Sequence, residues 1–154
     1  MAEWTNVAEQ TVNPGESIVF NENPVPCSRG FVRHRDGTGN FLLSGWLPSN
    51  RCNCRQNGSA RYSADFGANI AIPTDGTPGE ISVAFSLDGS TLPSTTMIVT
   101  PAEVEEYFNV SREIDIEIWR NCCQTFSIKN TSDQPILVQH ASLDLNRPDL
   151  AITY

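Results

Sequence analysis

Five cysteines are the residues whose type and spacing come closest to a chemical site. They form a Cys-x-Cys pair, an adjacent pair and a single residue in a proline-rich loop: Cys52 and Cys54, Cys122 and Cys123, and Cys27. Four thiolates would suit a tetrahedral zinc ion, but paired zinc ligands ordinarily have about two to four residues between them, and neither pair here does. The alternatives are one or two disulfides formed in an oxidising medium, or reduced cysteines packed as small apolar residues. All three interpretations stay open at the level of sequence.

Other residues that could carry catalysis are sparse. The chain has two histidines, His34 and His140, and each is interpreted as a buried, hydrogen-bonded side chain rather than a general base. The nucleophile signature Gly-x-Ser-x-Gly is absent. Residues 36–40, Asp-Gly-Thr-Gly-Asn, favour a hairpin turn over a calcium loop. We therefore expect no enzyme activity, no cofactor and no catalytic residues.

Two tryptophans are candidates for binding rather than catalysis. Trp46 and Trp119 could stack on sugar rings, with residues 47–60 as a loop that touches a glycan or receptor. The favoured interpretation, however, is that both rings belong to the core or to a subunit interface, and sugar stacking is the alternative.

The charge balance limits the partners. With 18 acidic and 10 basic residues, the formal net charge is −8 and the pI about 4.6. A nucleic-acid partner would require a basic stripe, and Arg29, Arg33 and Arg35 are instead interpreted as a solvated strand face. No membrane-spanning run and no signal peptide are recognised, so we expect a protein that folds in a cytoplasm, without a membrane or nucleic-acid partner.

The elements that must position these residues are β-strands. Apolar and polar residues alternate in residues 66–72, 81–87 and 113–118, as expected for strands with one buried face. Residues 30–44 predict a hairpin with a glycine-containing loop. Residues 100–103, Thr-Pro-Ala-Glu, predict a single helical turn. About nine or ten short strands and frequent Gly and Pro predict an all-β antiparallel sandwich, jelly roll or barrel.

The chain shows no linker, repeat or low-complexity tract, so one domain is expected for residues 1–154. Residues 1–12 are expected to form an N-terminal arm or first strand, residues 13–145 the jelly roll, and residues 146–154 a C-terminal tail.

Four motifs resemble those of a known family. Residues 13–20 (NPGESIVF) resemble the opening P-G-x-x-[VI]-x-F strand of bacterial TNF-like domains, including those that end collagen-like exosporium glycoproteins. Residues 39–45 (GNFLLSG), 81–89 (ISVAFSLDG) and 126–132 (FSIKNTS) are similar to later strands of the same domains. The resemblance implies a TNF-like jelly-roll sandwich over most of residues 10–145.

A second resemblance is to short phage-associated structural proteins of Firmicutes and their phages. It is carried by residues 26–37 (PCSRGFVRHRDG), 68–73 (ANIAIP), 100–111 (TPAEVEEYFNVS) and 121–123 (NCC). It implies a homotrimer on a virion, decorating the capsid or forming a head fibre, with the major capsid protein or another virion component as partner. The collagen-like Gly-x-y stalk of the exosporium proteins is absent, which favours a stand-alone unit.

Two functions therefore follow from the sequence. The leading hypothesis is a phage virion structural protein that acts as a homotrimeric capsid decoration or head-fibre unit. The alternative is a surface-displayed binding module that recognises a host glycan or receptor.

Overall fold

The computed structural model describes residues 2–27, 30–46, 59–119 and 123–148. These residues form twelve β-strands and one short 3-10 turn, Pro93–Thr95, which lies between the eighth and ninth strands. In chain order the strands are β1 (Ala2–Asn6), β2 (Gln10–Val12), β3 (Glu22–Val25), β4 (Val32–His34), β5 (Phe41–Leu43), β6 (Ser59–Ala71), β7 (Ile81–Leu87), β8 (Ser90–Thr91), β9 (Met97–Val99), β10 (Phe108–Trp119), β11 (Gln124–Asn130) and β12 (Ile136–Asn146).

The strands form two antiparallel sheets of six strands each. Sheet A has the order β10-β6-β12-β1-β3, and β2 also pairs with β12. Sheet B has the order β4-β5-β11-β7-β8, and β9 also pairs with β7. The chain changes sheet between β3 and β4, β5 and β6, β6 and β7, β9 and β10, β10 and β11, and β11 and β12. This repeated crossing between two antiparallel sheets is the jelly-roll arrangement.

The core lies between the sheets and is built by the alternation that the sequence shows. In β6 every second residue from Ala60 to Ile70 is buried, and in β10 Ile116 and Ile118 are buried while Glu117 between them is exposed. Phe85 of sheet B contacts Phe66 of sheet A with ring centroids 6.2 Å apart. The predicted all-β antiparallel class and the jelly-roll sandwich are therefore confirmed.

Asn130 explains the late Asn-x-Ser motif. Its buried amide nitrogen donates to the carbonyls of Val12 and Gln134, both at 2.9 Å, and its amide oxygen accepts from the Ser132 N–H at 2.8 Å. One side chain thus joins the end of β2 to the turn between β11 and β12. Buried backbone carbonyls need such partners, because an unpaired one costs about 1–3 kcal/mol.

The structure differs from the sequence-based expectations at the shortest elements. It has more strands than the nine or ten expected, because strands such as β3 and β8 have mostly exposed side chains and give no apolar period. Residues 100–103 form no helical turn, since Glu105 has a φ of 58° and its N–H donates to the Ile72 carbonyl at 2.7 Å. The short helical element among the described residues is the 3-10 turn Pro93–Thr95, which was not predicted from the sequence.

The structure corrects the expectation for His140. It was expected to be buried, but its side chain is exposed and its backbone has a φ of 53°. It lies in β12 where the pairing with β6 shifts register between Gln139 and Ser142. The bulge turns the histidine away from the core.

Candidate ligand-binding site

The cysteines do not define a site within the described part of the chain. Cys27 is a half-buried thiol packed against the core, and Cys123 is disulfide-bonded. Cys52, Cys54 and Cys122 lie outside the described residues. Among the described residues, no group of three or more His, Cys, Asp or Glu side chains is placed to hold a metal ion. The zinc and disulfide interpretations, which concern the five cysteines as a group, therefore stay predictions.

His34 is a core residue, as expected. Its side chain is 1% exposed and its ring stacks on Phe41 with centroids 4.3 Å apart. Nε2 lies 2.9 Å from the Thr38 carbonyl. A carbonyl can only accept, so Nε2 carries the hydrogen, and the imidazole holds the loop that joins β4 to β5.

The most distinctive surface feature is a pair of stacked aromatic rings at one end of the β4–β5 hairpin. Phe31 precedes β4 and Trp46 follows β5; their rings lie nearly parallel, with centroids 5.6 Å apart and an angle of 21°. Trp46 remains 52% exposed. We call Phe31 and Trp46, with Tyr62 and Arg147 beside them, the aromatic shelf.

Arg147 anchors the shelf from the end of β12. Its guanidinium lies 4.9 Å from the centre of the Phe31 ring and 5.0 Å from that of Tyr62. It also donates from Nη1 to the Trp46 carbonyl at 3.2 Å. The side chain is only 7% exposed. Cation–π contacts are stronger when the cation is desolvated, so this buried arginine ties both rings and the backbone of Trp46 together.

Backbone hydrogen bonds fix the same region. The Tyr62 hydroxyl donates to the Ser44 carbonyl at 2.7 Å and also contacts the Phe31 carbonyl at 3.1 Å. The Ser44 N–H donates to the Phe31 carbonyl at 2.9 Å, and the Ser44 hydroxyl accepts from the Trp46 N–H at 3.1 Å. Burial raises the pKa of Tyr62, with Arg147 opposing that shift. The hydroxyl therefore keeps its proton and remains a donor.

A shallow cavity of about 440 Å³ lies against the shelf. Gly30, Phe31, Ser44 and Trp46 line it. Small-ligand sites typically enclose roughly 300–1,000 Å³ and combine aromatic walls with a few polar groups. The cavity fits that description, with two aromatic rings and the Ser44 hydroxyl, and its walls hold no acid or base among the described residues.

Trp119, the second tryptophan singled out from the sequence, is placed differently. It is 69% exposed at the last position of β10, opposite Ser59. The ring contacts that fix Trp46 have no counterpart at Trp119 among the described residues. Both tryptophans are exposed, so the core interpretation of these rings is wrong, and among the described residues a ring contact orients Trp46 but not Trp119.

A larger cleft, of about 670 Å³, lies between residues 77–82 and 131–134, and several of its polar groups are paired with one another. The Gln134 amide bonds both backbone groups of Thr77, at 2.8 and 3.0 Å. The Ser82 and Thr131 hydroxyls lie 2.7 Å apart. Because these groups are hydrogen-bonded to one another, they are not free to bind a ligand.

Within the described residues, the structure has no helix of the length and apolarity required to cross a membrane.

The comparisons with known proteins define the fold. No family model and no curated protein matches the sequence. Among solved structures, the globular domain of zebrafish complement 1qA protein has a TM-score of 0.59 at 8% identity, over 96% of this chain and 95% of that chain. The chain therefore has the jelly-roll fold found in that C1q globular domain, and nothing further follows from 8% identity.

Two further solved structures are less similar. The C-terminal domain of EclA, a sugar-binding protein, has a TM-score of 0.38 at 10% identity, over 90% of this chain and 79% of that chain. The xylan-binding CBM22-1 domain of Paenibacillus barcinonensis Xyn10C has a TM-score of 0.37 at 6% identity, over 94% and 93%. Scores this low carry no argument about this chain.

Trp46 could be identified as a candidate from the sequence, but the three residues that hold it in place could not. Tyr62 falls in the alternating pattern of β6 and could only be assigned to the core. Phe31 has the same apolar character as any strand residue, and Arg147 lies in the segment expected to be a tail. Because these three residues are far apart in sequence, the fold alone reveals that they meet.

Proposed function

We propose that this protein is a non-catalytic binding module that recognises carbohydrate through the aromatic shelf. The observation that carries the proposal is the half-exposed Trp46. Its ring stacks on Phe31, and its backbone carbonyl accepts a hydrogen bond from the buried Arg147. This proposal adopts the alternative drawn from the sequence rather than the leading one.

The physical argument is preorganisation. Binding loses affinity when flexible side chains must be ordered, at a cost of about 0.5–1.5 kcal/mol for each one. The Trp46 backbone is already held by Ser44 and Arg147, and its ring by Phe31. A pyranose ring offers a flat face of C–H groups that packs on such an indole, while its hydroxyls need nearby polar partners such as Ser44.

The same cavity supports the non-catalytic part of the proposal. Cleavage of a glycosidic bond ordinarily uses two carboxyl groups on either side of the bond. Gly30, Phe31, Ser44 and Trp46, which line the cavity, supply none. These residues can hold a sugar but cannot protonate its leaving group.

A glycan array tests the proposal. We expect the wild-type chain to bind a defined subset of glycans and Trp46→Ala to lose that binding, because the stacking surface is removed. Trp119→Ala is the matched control, since it removes an exposed tryptophan elsewhere, and it should bind as the wild type does. An array without signal, or equal signal for Trp46→Ala, would overturn the proposal.

The virion location, the homotrimer and the capsid partner stay predictions that rest on the sequence resemblance. They are compatible with a glycan-binding role, because a module on a phage particle would face the host surface. Sedimentation equilibrium at micromolar concentration tests the trimer, and a mass of one chain would exclude it. Electron microscopy of particles incubated with the protein tests the location.

A further inference from the structure

A second cleft lies on the outer face of sheet B, beside the same β4–β5 hairpin. It encloses about 460 Å³, and its lining includes Arg33, Arg35, Asn40, Leu42 and Thr125. That volume is again in the range of small-ligand sites, roughly 300–1,000 Å³.

Strand register explains why these side chains meet. Arg33 of β4 lies opposite Leu42 of β5, and Leu42 lies opposite Thr125 of β11. Their neighbours Val32, Phe41 and Leu43 are buried between the sheets, so this row points outward. Arg35 lies two residues beyond Arg33, about 7 Å along the chain, with its side chain on the same side. The result is an apolar floor at Leu42 bordered by two cations.

Neither arginine side chain has an interaction within the described residues that stabilises the fold. Arg33 and Arg35 are exposed, and neither forms an ion pair or a side-chain hydrogen bond within the described part of the chain. Asp88 accepts from the Thr125 N–H at 2.8 Å, and Asp36, which follows Arg35 in the chain, forms no ion pair with either arginine. Among the described residues no carboxylate lines the cleft.

Two unpaired guanidiniums in one cavity are unexpected in this chain. Acidic residues outnumber basic ones by 18 to 10, so the chain has carboxylates in excess, yet none of those in the described residues pairs with these two arginines. Guanidinium groups form planar, bidentate pairs with carboxylates, which makes an arginine pair a suitable receptor for that group. Asn40 and Thr125 add groups that can bond to sugar hydroxyls.

We propose that this cleft binds the carboxylate of an acidic sugar, namely a uronic acid unit of the glycan that the aromatic shelf holds. The inference rests on the proposed function, since it names the substrate class of the same binding surface. Phe31 of the shelf, just before β4, and Arg33 of the cleft, on β4, are only two residues apart in the chain, or about 7 Å when the chain is extended. A single oligosaccharide lying along the hairpin therefore reaches both.

Calorimetric titration with matched ligands tests this inference. The probes are tetramers of galacturonic and of mannuronic acid, each compared with its methyl ester, which keeps the sugar and removes the charge. We expect at least one acid tetramer to bind the wild type about tenfold more tightly than its ester. Arg33→Gln and Arg35→Gln should each lose most of that preference, weakening the binding of the acid far more than that of the ester.

Arg112→Gln is the matched control, because Arg112 is an exposed arginine on β10 of the other sheet and should leave both affinities unchanged. Equal affinity for acid and ester, no binding of either acid tetramer, or an equal loss in Arg112→Gln would overturn the inference. So would tighter binding of a sulfated neutral tetramer, which would make the cleft a sulfate site.

The two proposals fail in different ways. If Trp46→Ala weakens both acid and ester while the arginine variants change nothing, the shelf stands and the cleft assignment is wrong. If Trp46→Ala changes neither affinity while the arginine variants lose the acid, the cleft stands and the shelf assignment is wrong.

Discussion

Four carboxylates lie in one row across the outer face of sheet A. Strand register places Glu113 opposite Asp65, Asp65 opposite Asp144, and Asp144 opposite Glu3, so the row spans β10, β6, β12 and β1. Like charges directly opposite each other weaken a sheet. Asp144 lies inside the row, and its Oδ1 is buried with no hydrogen-bond partner among the described residues.

The consequence is a stability that depends on pH. Burial raises the pKa of Asp144 above its ordinary value of 3.8, and the charge of Glu3, a side-chain hydrogen bond with Glu3 and the charge of Asp65 raise it further. Between the unfolded and the folded pKa, the folded chain holds the proton more tightly than the unfolded chain does. The contribution of Asp144 to stability is therefore favourable at low pH and is lost as the pH rises through that window.

Asp144→Asn removes the charge and should stabilise the protein near pH 7 by roughly 0.5 kcal/mol. The gain should vanish below the unfolded value of 3.8, where the wild-type carboxyl is also neutral. Urea denaturation at both pH values measures the difference. Asp115→Asn is the control, because Asp115 lies opposite Ser63 rather than another carboxylate and should gain less. A wild type more stable than Asp144→Asn near pH 7 would contradict this account.

At the scale of elements, the β4–β5 hairpin is the part of the fold on which both proposed subsites depend. Its connecting loop contains Gly39, where an added Cβ would lie 2.3 Å from the Ile18 carbonyl oxygen and 2.7 Å from the Ser17 Cβ. The loop is thus pressed against the backbone of residues 17–18. Glycine is required there because no side-chain atom fits.

Gly39→Ala should therefore cost about 2 kcal/mol, since a backbone oxygen cannot move aside as a side chain does. Gly67→Ala is the matched control: its Cβ would approach no atom closer than 3.7 Å, in the middle of β6. That change should be neutral or slightly stabilising, because glycine weakens a strand interior. Thermal unfolding of both variants gives the comparison, and equal unfolding temperatures would show that the contact at Gly39 is not tight.

Elements could be predicted from sequence where the apolar period was strong. β6, β7 and β10 follow the alternation of residues 66–72, 81–87 and 113–118, and the Asp88-Gly89 turn closes β7 onto β8 with both residues at positive φ. Residues 17–20 were expected to be a strand, yet they make only single bridges, Ser17 to Lys129 and Phe20 to Thr38. A run of apolar residues indicates that a segment is buried. How many backbone hydrogen bonds it forms with adjacent strands depends on residues that are distant in sequence.

At the scale of the whole molecule, the charge distribution is uneven. The outer face of sheet A presents the carboxylate row, whereas the outer face of sheet B presents Arg33, Arg35 and, on β11, Lys129. The formal charge of −8 hides this difference. Among the described cations, Arg61 and Arg112 lie on β6 and β10 of sheet A, and the sheet order shows that Arg33, Arg35 and Lys129 share the outer face of sheet B.

The site was less predictable than the fold for the same reason. Alternation along a strand is a local property, so the β class followed from short windows of sequence. The aromatic shelf joins Phe31, Trp46, Tyr62 and Arg147 from the β4–β5 hairpin, β6 and the end of β12, and no local pattern links them. Trp46 could be named from the sequence as a candidate, whereas the anchor that orients it could not.

Affinity at Trp46 tests the central claim most directly. Calorimetry with the strongest glycan from the array would compare the wild type, Trp46→Phe and Trp46→Ala. The account predicts that Trp46→Ala weakens binding at least about tenfold, or 1.4 kcal/mol, and that Trp46→Phe, which keeps a ring on Phe31, lies between the two. Equal affinity of Trp46→Ala and the wild type would contradict the assignment of the shelf as the binding site.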